Sequence, residues 1–139
     1  KGIEDLKAAL AASRTLPGAN GKVATMGYCL GGRLAFMMAE QSDADANISY
    51  YGVGLDELLS DLTRVTAPLV VHVADKDAFF PPEGRAAVVA ATMGHKYAVS
   101  YVYPNADHAF ARVNGTHWDG RSATIANGRS AEVLVKALG

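Results

Sequence analysis

The segment Gly27-Tyr28-Cys29-Leu30-Gly31-Gly32 sets the only cysteine of the chain between glycines two residues to either side. Small residues at those two places leave room for a sharp turn that side chains would obstruct. A thiol carried on a strand-to-helix turn stands clear of the sheet at the N-terminus of the helix. There the helix dipole and free backbone N–H groups attract negative charge. Cys29 is therefore the candidate nucleophile. The N–H of Leu30 is the candidate donor to the oxygen of an attacked carbonyl, forming half of an oxyanion hole. A lone cysteine is more often a small buried hydrophobe; the strand before it, the glycine spacing and the helix after it favour chemistry.

A thiol nucleophile needs a base, and the base needs an orienting group. The chain has four histidines. His72 lies inside an apolar strand and reads as a core residue. His95 follows Gly94 near a helix end and reads as a solvated cap. His117 lies in a polar loop with no motif around it. His108, in Asn105-Ala106-Asp107-His108-Ala109-Phe110, follows the last strand and comes after the acids in chain order, where the base of a doubly wound hydrolase belongs. For the acid, Asp75 and Asp77 both follow the strongest strand. Asp75 fits a hydrogen bond to its own turn. Asp77, ahead of Ala78-Phe79-Phe80-Pro81-Pro82, can reach sideways and is favoured. Asp107 adjoins His108 and reads as a residue that shapes the loop. The expected order is Cys29, Asp77, His108.

The elements that must position these residues alternate. Ile3, Leu6 and Leu10 have helical spacing, and Pro17-Gly18 closes that segment. Lys22 to Met26 reads as a short buried strand, and Arg33 to Gln41 as a helix. Ala46 to Tyr51 is a second strand and Leu55 to Leu62 a short helix. Leu69-Val70-Val71-His72-Val73-Ala74 is the strongest strand. A helix over about 82–93 and a strand over 97–103 follow, then a polar loop over 104–120. A weaker helix, interrupted by Gly128, spans 123–138. Strands alternating with helices imply one α/β domain, a mainly parallel sheet covered on both faces. Ligands bind such sheets beyond the carboxyl ends of the strands, where the cysteine, acid and histidine segments all fall.

Composition narrows the function classes. Lys plus Arg is 13 and Asp plus Glu is 14 in 139 residues, a formal net charge of −1. That balance argues against a nucleic-acid binder and against a basic membrane-surface protein. The longest apolar run, Ala67 to Ala74, falls far short of the roughly 20 residues a spanning helix needs. One cysteine excludes an internal disulfide framework and a multi-cysteine zinc site. No signal-peptide pattern opens the chain at Lys1, and a cytoplasmic location is expected.

With these residues in place, the chain resembles the dienelactone hydrolase family of the α/β-hydrolase fold. Gly27-Tyr28-Cys29-Leu30-Gly31-Gly32 resembles its elbow and Tyr50-Tyr51-Gly52 its next strand end. Ala74-Asp75-Lys76-Asp77 resembles its acid loop, where glycine normally stands in place of Ala74. His108-Ala109-Phe110-Ala111-Arg112 resembles its histidine loop. The resemblance implies hydrolysis of an ester-like bond in a small lactone without a cofactor or metal. It matches Arg112 to an arginine that grips a substrate carboxylate. Tyr51, or Tyr50, could line the pocket. A carboxylesterase or thioesterase range of substrates fits the same residues.

The resemblance also implies strands and helices ahead of the segment matched here. Those carry a second oxyanion donor, a glutamate that interacts with the nucleophile and a second arginine, none matched in this chain. The expectation is thus the C-terminal portion of such a hydrolase, with the N-terminal strands missing and one edge of the nucleophile strand open. A homo-oligomer, or a complex with a chain supplying the N-terminal half, is expected. The alternative is a truncated hydrolase-like domain that binds a ligand or partner without effective catalysis.

Overall fold

The computed structural model describes residues 1–139. In chain order the elements are α1 (Gly2–Ser13), β1 (Ala24–Tyr28), α2 (Leu30–Gln41), β2 (Ala46–Tyr50), a 3₁₀ helix (Leu55–Arg64), β3 (Leu69–Ala74), α3 (Pro82–Thr92), β4 (Ala98–Tyr103) and α4 (Gly120–Leu138). The four strands form one parallel sheet in the order β1-β2-β3-β4. This is the expected parallel α/β architecture.

Side-chain alternation along β3 divides the core. Leu69, Val71 and Val73 pack with Phe36 of α2, Leu62 of the 3₁₀ helix and Val88 of α3. On the opposite face Val70 and Ala74 pack with Ile48, Tyr50, Tyr103, Phe110 and Ala126 of α4. Every residue of β3 is buried, as a strand covered on both faces must be. A smaller cluster of Leu10, Met38 and Ala44 seats α1 on α2.

The largest departures from the expected boundaries are in β1, α2 and α4; β2, the 3₁₀ helix and β4 shift by one or two residues at one end. β1 runs over Ala24–Tyr28 rather than Lys22 to Met26, because pairing with β2 sets its register from Ala24 opposite Ala46 to Tyr28 opposite Tyr50. Val23 turns instead to Asp45, whose Oδ2 accepts its N–H at 2.7 Å. α2 starts at Leu30, three residues early, because Gly31 and Gly32 belong to its first turn although glycine is a poor helix former. α4 begins at Gly120, capped by Asp119, whose side chain accepts the N–H of Ser122. It also continues through Gly128. Buried Ala123, Ala126 and Ser130 hold it to the sheet, so packing outweighs the local glycine penalty.

β1 pairs only with β2, so its other edge is open. Beside that edge runs an apolar groove of about 330 Å³, lined among others by Leu6, Leu10, Met26, Leu34 and Met38. Met26 and Tyr28 remain about half exposed. No helix is long and apolar enough to cross a membrane.

Candidate active site

Cys29 sits between β1 and α2 with φ 56° and ψ −118°, as the N-cap residue of the helix. A positive φ in a residue with a β-carbon costs roughly 1–3 kcal/mol and persists only where its surroundings enforce it. Here the Cys29 N–H donates to the Tyr50 carbonyl at 3.0 Å, and its own carbonyl accepts from Arg33 N–H at 3.1 Å. Gly27 is required as expected, since a β-carbon there would overlap the Gly31 backbone. Gly31 is not required for the same reason: a β-carbon on it would meet nothing, because it faces the open groove beside β1. The second close approach belongs to Gly32, where a β-carbon would lie 2.6 Å from the Tyr50 carbonyl oxygen and 3.0 Å from the Gly52 α-carbon. Leu30 opens α2, so its N–H has no acceptor within the helix.

The loop after β3 brings Asp77 to His108, 31 positions away in sequence. His108 Nδ1 lies 2.9 Å from Asp77 Oδ2, with the Asp77 side chain 1% exposed and that of His108 10% exposed. Asp77 Oδ1 accepts the Phe79 N–H at 2.8 Å, so both carboxylate oxygens are engaged. Asp75 is exposed; its Oδ2 accepts the N–H of Asn105 at 3.4 Å, in the neighbouring loop rather than its own turn. Asp107 shapes the histidine loop, its Oδ1 accepting the His108 N–H at 2.6 Å.

Tyr28, Cys29, Tyr51, His108, Ala109 and Arg112 line one cleft of about 390 Å³. The Tyr51 ring meets the His108 ring edge-on at 5.3 Å between centroids, and Phe79 approaches the same ring at 4.8 Å. Burial, with Tyr28, Tyr50 and Cys29 close by, raises the Tyr51 phenol above its ordinary range, so it keeps its proton. Tyr50 points toward α4, its hydroxyl 2.8 Å from Asn127 Oδ1 and from Ser130 Oγ. Of the two tyrosines, Tyr51 therefore lines the cleft. Arg112 is exposed and makes no ion pair.

The other histidines fall elsewhere. His72 is fully buried, with Nδ1 2.8 Å from the Tyr103 hydroxyl and Nε2 2.8 Å from Ser130 Oγ. Burial and the nearby Arg129 push it down to about 3, so it is a neutral core group. His95 is half-buried rather than solvated and closes the turn after α3, its Nδ1 accepting from the N–H groups of Tyr97 and Ala98.

Three contributors are not visible in the sequence. Tyr28 and Phe79 add aromatic surface around the cysteine and the histidine. Arg85 of α3 donates to the backbone carbonyls of Asp75, Asp77 and Phe80, bracing the acid loop from behind. No local signal marks an arginine that serves carbonyls five to ten residues upstream. Together the cleft offers a thiol at a helix N-terminus, an imidazole oriented by a buried carboxylate, and an unpaired guanidinium. Such a set can attack, protonate and hold an electrophile that carries an anionic group.

The model of the dienelactone hydrolase family matches residues 1–138. The chain is 52% identical over 79% of its length to a protein of Azospirillum brasilense, covering 48% of that protein. It is 40% identical over 96% of its length to carboxymethylenebutenolidase 1 of Cupriavidus pinatubonensis, covering 56% of it. The carboxymethylenebutenolidase of Pseudomonas putida is 35% identical over the same shares. The chain thus spans about half the length of these relatives. Among solved structures, a dienelactone hydrolase-like promiscuous phosphotriesterase from metagenomic libraries superposes with a TM-score of 0.80 at 23% identity, over 99% of this chain and 62% of that one. An α/β hydrolase from a deep-sea metagenome library superposes with a TM-score of 0.74 at 13% identity, over 98% and 64%. The fold is that of the α/β hydrolases, and the chain belongs to the dienelactone hydrolase family.

Proposed function

We propose that these residues form the catalytic part of a cysteine hydrolase that opens a small lactone or ester carrying a carboxylate. The observation that carries this reading is the 2.9 Å contact between buried Asp77 and His108 in the cleft that also holds Cys29. Cys29 Sγ gives its proton to His108 and attacks the carbonyl carbon, and the resulting oxyanion rests on the Leu30 N–H and a second donor. Collapse of that intermediate breaks the C–O bond. His108 returns the proton to the leaving oxygen, which leaves a thioester. His108 then takes a proton from water as the water adds to the thioester; the C–S bond breaks, His108 returns that proton to Cys29 Sγ, and the acid product leaves. Asp77 holds the imidazole in the orientation both steps need and stabilises its cationic form. Arg112 grips the substrate carboxylate, and Tyr51 and Tyr28 wall the cleft. Proton transfer of this kind supplies roughly 10²–10⁴-fold, and one missing oxyanion donor costs about 10²–10³-fold. Cys29→Ala should abolish hydrolysis of a nitrophenyl ester, and iodoacetamide should label the parent chain at Cys29 alone; turnover retained in that variant refutes the assignment.

The open edge of β1 and the apolar groove beside it favour a companion reading. The sheet continues in a second copy, or in a polypeptide that supplies the preceding strands, and the second oxyanion donor comes with it.

A further inference from the structure

His117 belongs to none of the groups assigned so far, yet it meets the His108 carbonyl and faces the carboxylate that holds the His108 N–H. Its Nδ1 lies 3.0 Å from the His108 carbonyl oxygen. Its Nε2 lies 3.6 Å from Asp107 Oδ2. The other oxygen of that carboxylate accepts the His108 N–H at 2.6 Å. The main-chain donor and the main-chain acceptor of one residue are thus held from the same side of the loop by two side chains that face each other.

The carbonyl that His117 holds belongs to the peptide joining His108 to Ala109. Ala109 has φ 65°, a left-handed conformation that a residue with a β-carbon avoids. The planar peptide couples ψ of His108 to φ of Ala109, so relaxation of the left-handed Ala109 shifts the backbone that carries the His108 side chain. A hydrogen bond to the carbonyl oxygen opposes that shift. Asn105 and Asn114, at φ 63° and 62°, bend the loop into the same left-handed region on either side. Asparagine tolerates that region, so the strain beside His108 lies at Ala109, and His117 is a side chain outside the tightest bend that ties it down.

We propose that His117 is a positioning residue for His108: by donating from Nδ1 to the His108 carbonyl and facing Asp107, it fixes the peptide that aims the imidazole at Asp77. The proposal rests on the reading of His108 as the general base. It predicts an effect on proton transfer rather than on substrate binding, because His117 is not among the residues that line the cleft. Misplacement of a reacting group by about an ångström can cost around 10²-fold, and a partial loosening should cost less.

Three variants of the full 139-residue chain test it. His117→Ala should lower kcat for a nitrophenyl ester roughly tenfold with KM nearly unchanged. His117→Asn should recover most of that loss, because its amide nitrogen occupies the place of Nδ1 and can donate to the same carbonyl. The second readout is the His108 Nδ1 proton, followed by NMR in the Cys29→Ala background, where no turnover is needed. Its exchange with water should quicken in His117→Ala and slow again in His117→Asn. Unchanged kcat and unchanged proton exchange in His117→Ala overturn the proposal, as does an Asn variant no better than Ala. Hydrolysis that survives Cys29→Ala refutes the catalytic reading instead, and the proton measurement still decides the role of His117.

Discussion

The carboxylate of Asp75 accepts the backbone N–H of Asn105 at 3.4 Å, tying the loop after β3 to the loop after β4. Two residues later Asp77 is buried and faces the imidazole of His108. One acid joins two loops at the surface, and the other lies against an imidazole in the cleft. Asp77→Asn and His108→Ala should each lower kcat/KM for an ester by about 10²–10⁴-fold, the usual range for lost acid–base help. Asp75→Asn removes only the charge, because the amide oxygen can still accept the exposed Asn105 N–H, and should leave the rate nearly unchanged. Equal losses at the two positions would sink the distinction.

Arg112 lines the cleft with no acidic partner of its own. Its guanidinium can hold a carboxylate through two parallel hydrogen bonds. A charge-assisted hydrogen bond contributes about 1.5–3 kcal/mol, so Arg112→Ala should raise KM at least about tenfold for a lactone bearing a carboxylate. KM for a neutral nitrophenyl ester should hardly move. The same rise for both substrates would take Arg112 out of substrate recognition.

The open edge of β1 leads to a prediction about assembly. An unpaired, proline-free strand beside apolar surface is a template for another strand. Light scattering at micromolar concentration should give a mass above the 14.6 kDa of one chain. Met26→Lys places a charge on that edge and should shift the sample toward monomer, as edge lysines do in natural sheets. A parent chain that is already a stable monomer would argue that the edge needs no cover.

Glu40 of α2 makes stability depend on pH. The residue is buried, and neither carboxylate oxygen has a hydrogen-bond partner. Burial first, then the charge of Asp61, raises it from 4.5 to about 7, while Arg64 and Arg33 pull the other way. A folded-state value above the unfolded one means the protonated form belongs to the fold. The stability it confers is complete below pH 4.5 and is lost as pH rises through about 7. At 1.36 kcal/mol per unit this amounts to about 3 kcal/mol. Glu40→Met should therefore raise Tm at pH 8 and leave it nearly unchanged near pH 4.5. His72 acts with the opposite sign. Its value is pushed from 6.5 to about 3, so its contribution is lost as pH falls through that interval. The difference in Tm between variant and parent isolates Glu40. A difference that does not change with pH would mean that Glu40 does not titrate in the fold.

Much of the site was legible because its signals are short-ranged. Gly27 and Cys29 lie in one six-residue turn, and a turn of that kind is decided by neighbours in the chain. His108 could be chosen among four histidines from its place after the last strand, and the apolar run of Leu69–Ala74 predicted β3 residue for residue. Other expectations failed for a common reason. Lys22 and Val23 look as strand-like as Thr25, yet the partner β2 set where β1 begins. Gly128 looks like a helix breaker, yet contacts of Asn127 and Ser130 with Tyr50 and His72 carry α4 across it. Gly31 looks as constrained as Gly27, yet of the three glycines around Cys29 it is Gly27 and Gly32 that meet backbone.

The sequence by itself determined the alternation of strands and helices, the turn that presents Cys29, and the loops at the carboxyl ends of the strands that carry Asp77 and His108. These follow from side-chain periodicity and from steric limits within a few residues. The tertiary structure decided which atoms meet: Asp77 with His108 across 31 positions, Tyr51 rather than Tyr50 at the cleft, Arg85 behind the loop that carries Asp77 and His117 behind His108. Such meetings depend on the register of parallel strands and on how each loop leaves the sheet. Those are fixed by burial of the shared core, a sum over contacts between distant residues that no local pattern encodes.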